Sequence, residues 1–129
     1  MKNFNVVRVD SKGRIIVPFH IRDYLGLKEG TELIVSNNGK KELRIFPLNS
    51  STANVSVLLN DTPGSLAKVI ETVAKHKVDI LISMSKTVVK GKTAEWTAII
   101  DVSKCSDSKK LERQLKSLSA VKSAEIKNN

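Results

Sequence analysis

Apolar and polar positions alternate from the start of the chain, and the period of that alternation changes several times. Val6, Arg8 and Asp10 alternate with Val7 and Val9, which predicts a short strand. Ser11-Lys12-Gly13 reads as a turn, and Arg14 to Val17 (RIIV) as a second, β-branched strand. Pro18 suits the first turn of a helix. Ile21, Tyr24 and Leu25 then share one helical face, and Gly26 stops the helix as a C-terminal cap. Lys28-Glu29-Gly30 is another turn. Thr31 to Ser36 alternates again, Asn37-Asn38-Gly39 is a hairpin signal, and Leu43, Ile45 and Pro47 finish a last strand.

Beyond a small polar stretch, LNSSTA at 48–53, the pattern restarts in the order β-α-β-β-α-β. Val55, Val57 and Leu59 line one strand face. Thr62 is positioned to cap a helix with Pro63 at its first position, and Leu66, Val69, Ile70 and Val73 form its apolar stripe. Val78, Ile80, Ile82 and Met84 alternate as the inner face of the next strand. Ala94, Trp96, Ala98, Ile100 and Val102 do the same for the third, after a turn at Gly91. Ser106 to Leu118 predicts a second helix with Leu111, Leu115 and Leu118 inward, and Val121 to Ile126 a closing strand. One sheet covered by two helices is a stable two-layer arrangement. The expected organisation is a first domain over 1–48, a linker over 49–53 and a second domain over 54–129.

Charge adds a partner class. Lys and Arg outnumber Asp and Glu by 22 to 13, a net +9, which favours a polyanionic partner. The excess is spread: residues 1–50 carry nine bases and five acids, residues 51–129 thirteen and eight. The arginines are not spread. Arg8, Arg14, Arg22 and Arg44 precede residue 50 and only Arg113 follows it, and the arginine fork matches phosphate and guanine edges better than lysine does. Arg8, Lys12, Arg14 and Arg22, set around a turn and a short helix, are the candidate DNA-contacting residues. Lys40, Lys41 and Arg44 read as solvated charges.

The other chemistry-bearing side chains predict neither catalysis nor a metal or cofactor site. His20 and His76 lack neighbours at metal-ligand spacing, Cys105 is alone and excludes a disulfide framework, and no glycine-rich phosphate loop occurs. Neither a signal-peptide stretch nor a run of roughly 20 apolar residues is present, so a cytoplasmic, non-enzymatic protein is expected. The start of the second domain's first helix offers groups complementary to a small zwitterion whose carboxylate and ammonium lie about 3 Å apart. Unpaired N–H groups at the start of the helix near Pro63-Gly64-Ser65 suit the carboxylate, Gly64 admits a close approach, and Asp61 and Asp79 can accept from the ammonium. By simple alternation Ser83 and Ser85 share the Asp79 face.

Two family resemblances sharpen this picture. KGRIIVPFHIRDYLGLKEG, within residues 1–47, resembles the swapped-hairpin DNA-binding domain of AbrB-like and MazE-like regulators. That resemblance implies a β-barrel interlaced from two chains, which would also solve the problem that so small a module buries too little surface to stand alone. It implies DNA contact for Arg8, Lys12, Arg14 and Arg22; Asp23 departs from relatives that carry a second arginine there. LLNDTPGSLAKVIETVAKHKVDILISMS, residues 58–85, with its D-x-P-G-x-L at Asp61, Pro63, Gly64 and Leu66, resembles the opening of an ACT domain, a ferredoxin-like βαββαβ module that commonly binds amino acids between paired copies. Matching positions in amino-acid-binding ACT domains often hold Asn where this chain has Asp61 and Asp79.

The fold class expected is therefore α+β: a dimeric AbrB-like barrel followed by an ACT domain. The function expected is a DNA-binding transcription regulator, at least dimeric, tuned by an amino acid or similar effector through its ACT domain. The alternatives are an antitoxin-like interaction module and the regulatory subunit of an enzyme. MazE-like antitoxins trail an acidic, poorly folded tail, whereas this C-terminal half is basic and fully patterned for two layers.

Overall fold

The structure is a computed structural model that describes residues 4–37, 39–49 and 51–129. The chain divides into two compact units, residues 1–48 and 49–129. Asn38 of the expected hairpin turn and Ser50 of the expected linker lie outside the described residues.

The first unit holds helix α1 (Phe19–Leu25) and the hairpin β1 (Leu33–Ser36) and β2 (Arg44–Pro47), paired antiparallel from Leu33↔Pro47 to Ser36↔Arg44. Pro18 precedes α1. Gly26 caps it in the left-handed conformation at φ 68°, and the Leu27 N–H donates back to Arg22 O at 2.8 Å. The two strands expected before Pro18 find no ladder partner. Only their turn is closed, by Asp10 N–H to Arg14 O at 2.9 Å and Gly13 N–H to Asp10 O at 3.0 Å. No described residue between 4 and 48 is buried, and Val6 (93%), Ile16 (80%) and Val9 (63%) are among its exposed apolar side chains.

The second unit comprises β3 (Thr52–Asn60), α2 (Ser65–Ala74), β4 (Asp79–Val89), β5 (Thr93–Asp101), α3 (Ser108–Ser117) and β6 (Val121–Asn128). Its four strands form one antiparallel sheet in the order β4-β5-β3-β6, with the two helices on one face. Ala53, Val55, Val57 and Leu59 of β3 and Trp96, Ala98 and Ile100 of β5 bury one sheet face against Val69 and Val73 of α2 and Leu111 and Leu115 of α3. Full burial of each large aliphatic side chain contributes about 1.5–3 kcal/mol. This is the α+β ferredoxin-like arrangement.

Several boundaries differ from the sequence expectation, each for a local physical reason. Thr52 and Ala53, expected in the linker, open β3 and are buried, because Thr52 pairs with Asp101 and its side chain is covered by Asn129. Thr62 does not cap α2. Gly64 occupies the cap at φ 86°, a left-handed conformation that suits glycine, while Thr62 Oγ1 lies 2.6 Å from Ser65 Oγ. Asp107 caps α3, accepting from Lys110 N at 3.0 Å. A register shift between Ile80 and Ile82 flips β4. Ile80 pairs with core-facing Ile100, but Ile82 and Met84 pair with Ile99 and Thr97 on the open face. Ser83 and Ser85 consequently face the helix side with Ala98 and Trp96, not the Asp79 side. Lys77, just past α2, is the one non-glycine residue at positive φ (59°) among the described residues.

Candidate functional site

In the first unit the basic side chains are organised by one carboxylate. Asp10 Oδ1 accepts from the Lys12 and Arg14 N–H groups, both at 2.9 Å, and its Oδ2 accepts from Arg14 Nε at 2.7 Å. The Arg14 backbone N–H, then its side chain, hold the Asp10 carboxyl below the usual aspartate value, so it stays charged. The turn is thereby closed through side chain and backbone together, with Gly13 at φ 78° supplying the reversal. Nε is one of five guanidinium donors, so the Asp10 contact orients Arg14 while its side chain stays 69% exposed. Arg22 is held the same way: Nε donates to Val17 O at 3.0 Å and the guanidinium lies 5.5 Å from the Phe19 ring centroid. Arg8, Lys12, Arg14 and Arg22 are all exposed. Alternation sets Val6, Arg8, Asp10, Arg14 and Ile16 apart from Val7, Val9, Ile15 and Val17. The second set is wholly apolar; the first mixes charges with Val6 and Ile16, 93% and 80% exposed. Asp23 sits exposed beside Arg22.

In the second unit a cleft of about 210 Å³ opens where β3 runs into α2. Leu59, Leu66 and Ala94 supply apolar lining. Thr62, Ser85 and Thr87 supply hydroxyls, and Asp61 and Lys86 supply opposite charges. Asp61 is tied down: its Oδ2 accepts from the Gly91 N–H at 2.8 Å and its own N–H donates to Lys92 O at 3.2 Å, pinning the β4–β5 turn to the loop before α2. Lys86 Nζ lies 3.7 Å from Glu95, an exposed pair that contributes little stability.

The ACT domain family model matches residues 48–125. The chain belongs to the ACT domain family. A second model, antidote-toxin recognition MazE, bacterial antitoxin, matches residues 6–53, so a MazE/AbrB-like domain is fused ahead of the ACT domain. Among solved structures the chain is similar to the ACT domain from GTP pyrophosphokinase of Chlorobium tepidum, at 14% identity over 60% of this chain and 99% of that one, with a TM-score of 0.49. It is also similar to the regulatory subunit of aspartate kinase from Thermus thermophilus in its ligand-free form, at 16% identity over 61% of this chain and 52% of that one, with a TM-score of 0.45. Among curated proteins no match was found.

Within the ACT domain the predicted effector residues do not converge. Asp61 lines the cleft. Gly64 lies beside it as the helix cap and is absent from the lining, and nothing stands within 4 Å of the position a Cβ would take. Asp79 pairs with Asp101 at the opposite end of β4, some eight residues or roughly 26 Å along the strand from Thr87. The sequence reading missed Lys86, Thr87 and Ala94 as cleft residues. Ser85 reaches the cleft only through the β4 bulge, for which the alternating pattern carries no signal. His76 Nε2 lies 2.6 Å from Gln114 Oε1, bridging the helices of the ACT domain. No helix among the described residues is long and apolar enough to cross a membrane.

Proposed function

We propose that this chain is a non-enzymatic, cytoplasmic transcription regulator that binds duplex DNA through paired N-terminal hairpins and senses an amino acid or similar small effector through its ACT domain. The observation that carries the reading is the unpartnered hairpin of residues 4–17. Its apolar side chains are exposed and its predicted strands lack ladder partners, while Asp10 holds Arg14 in a fixed pose. A second copy supplies what is missing. Interlacing two hairpins pairs the strands, covers Val7, Val9 and Ile15, and presents Arg8, Lys12, Arg14 and Arg22 twice. About eight cations on one duplex make affinity fall steeply with salt, and two-fold protein symmetry calls for a two-fold operator.

The ACT domain completes its effector site by the same route. β4 is an edge strand whose residues Ser83–Val89 are exposed on both faces. Antiparallel pairing of two β4 strands about Met84 sets the second copy's Asp79 opposite Val89, roughly 10 Å along the strand from Lys86. The effector then bridges two chains: Lys86 meets its carboxylate and the second copy's Asp79 meets its ammonium. Because the bridged state binds effector better than the open one, effector shifts the assembly and with it DNA affinity.

Recovery of genomic duplex fragments on the purified protein, with and without the twenty amino acids and with Arg14→Ala as control, tests the reading. Expected is enrichment of a few fragments, lost in the control and altered by amino acids. Enrichment without amino-acid response reduces the ACT domain to an assembly module. No enrichment over the control at low salt sinks the DNA role and favours an antitoxin-like reading, which the MazE match also supports.

A further inference from the structure

The helices of the second unit carry far more net charge than its strands, with a further +2 in loops (Lys90, Lys92 and Lys104 against Asp61). The helical layer, residues 65–77 and 107–118, carries seven Lys/Arg (Lys68, Lys75, Lys77, Lys109, Lys110, Arg113 and Lys116) against three acids, net +4. The strand-borne charges are nearly balanced: Lys86, Lys122 and Lys127 stand against Asp79, Glu95, Asp101 and Glu125, net −1. Two of the three helical acids are committed to structure. Asp107 caps α3 through Lys110 N, and Glu112 Oε2 accepts from Ile126 N at 2.9 Å across to β6. Glu112 thereby ties α3 to the sheet.

The cations are exposed, and three of them also pair with these acids: Lys75 with Glu71 at 3.4 Å, Arg113 with Asp107 at 4.0 Å and Lys116 with Glu112 at 3.1 Å. Lys109, Lys110, Arg113 and Lys116 are exposed on α3, whose opposite face buries Leu111 and Leu115. Lys109 to Lys116 spans about 10.5 Å of helix, about three phosphate steps of one DNA strand. The His76–Gln114 bridge brings the C-terminal end of α2, with Lys75 and Lys77, against α3. Lys77, Lys109 and Lys110 have no ion-pair partner among the described residues. Lys77 also holds a left-handed backbone pose that glycine or asparagine would adopt at lower cost. A strained residue kept against its backbone preference points to a use for its side chain.

We infer that this helical face of the ACT domain, through Lys77, Lys109 and Lys110 with Arg113 beside them, is a second contact for the phosphate backbone of duplex DNA. The inference rests on the reading of the chain as a DNA-binding protein and extends it from the N-terminal hairpin to the regulatory domain. A lysine-rich face on a helix touches phosphates without reading bases, so it adds affinity and salt dependence and leaves sequence preference to the hairpins.

The test is fluorescence anisotropy of the full chain on a 30-base-pair duplex across a series of salt concentrations. Compared are the wild type, the triple variant Lys77→Gln/Lys109→Gln/Lys110→Gln, the corresponding triple Lys→Arg variant, Lys127→Gln from the other face, and Arg14→Ala. The expected result is that the triple Gln variant lowers the slope of log affinity against log salt by about 0.9 for each phosphate it no longer neutralises. The triple Arg variant keeps the slope and Lys127→Gln leaves it unchanged. An unchanged slope in the triple Gln variant, with Arg14→Ala still weakening binding, overturns the inference and leaves the hairpin reading standing. A reduced slope in the triple Gln variant with no effect of Arg14→Ala keeps the helical contact and removes the hairpin one. No binding by any of the proteins overturns both.

Discussion

A single substitution, Val9→Asp, has opposite consequences for a lone chain and for an interlaced pair. In the chain by itself Val9 is 63% exposed, and exchanging so exposed a side chain shifts stability by no more than about 0.5 kcal/mol. In an interlaced pair the exposed part of Val9 is covered. Full burial of a valine contributes about 1.5 kcal/mol, so the remaining 63% contributes about 1 kcal/mol per copy. Two copies lose about 2 kcal/mol from apolar area, roughly a thirty-fold weaker association. The carboxylate adds to the penalty, since an unpaired buried charge costs several kcal/mol more. Hydrogen exchange read by mass spectrometry separates the cases without interference from ACT-domain pairing. In the wild type the amides of residues 6–17 exchange slowly, because a second chain supplies their acceptors. In Val9→Asp they exchange at the rate of an unstructured peptide, while β3 and β5 keep their protection as an internal reference. Fast exchange of residues 6–17 in the wild type at tens of micromolar, or equal protection in the variant, would refute the pairing argument.

Three further outcomes are expected. Asp10→Ala removes a negative charge from the basic turn and yet weakens duplex binding in anisotropy titrations, because the hydrogen bonds that aim Arg14 are gone; tighter binding would mean that charge alone counts. Glu112→Gln destabilises the ACT domain by about 1 kcal/mol at pH 7 in urea denaturation. Ile126 N–H and Lys116 hold the Glu112 carboxyl below its usual value, so its contribution is present above the unfolded-state pKa and is lost as pH falls through the lowered folded one. The gap between wild type and variant therefore closes below about pH 4, and a gap independent of pH would contradict this. Gly64→Ala costs roughly 1–2 kcal/mol in thermal unfolding, entirely from φ 86°, since the space around a Cβ is open; Gly64→Asn should cost less, and equal losses would point to a steric cause instead.

The strands of the ACT domain were legible because one sheet face is buried, which forces a period of two on β3 and β5 from Ala53 to Leu59 and from Ala94 to Ile100. The stripe Val69, Val73 and its counterpart Leu111, Leu115 were legible for the same reason at helical period. What escaped was set by non-local pairing. The β4 bulge reverses Ile82, Ser83, Met84 and Ser85 because of hydrogen bonds to β5 that no local pattern announces. The strands before Pro18 were read from their alternation, but alternation reports only that a face wants cover, not which chain supplies it. The placement of the hairpin cations on a turn and a helix was legible because glycine and proline mark both. Lys86 was missed because a lysine on an alternating strand looks like any solvated one until the fold brings Asp61 and Leu66 across from it.

The register of β3 against β6 sets Ala53 opposite Asn128, and the Asn129 N–H donates to Thr52 O at 3.0 Å. The entrance and exit of the second unit are therefore neighbours, about 5 Å apart by the spacing of paired strands. A domain whose two chain ends emerge side by side behaves as a cassette: it can be joined to a carrier at one point on its rim without threading chain through its core. A module built this way is portable. The same rim would accept a different carrier, and evolution can exchange what the domain is joined to while leaving its core intact.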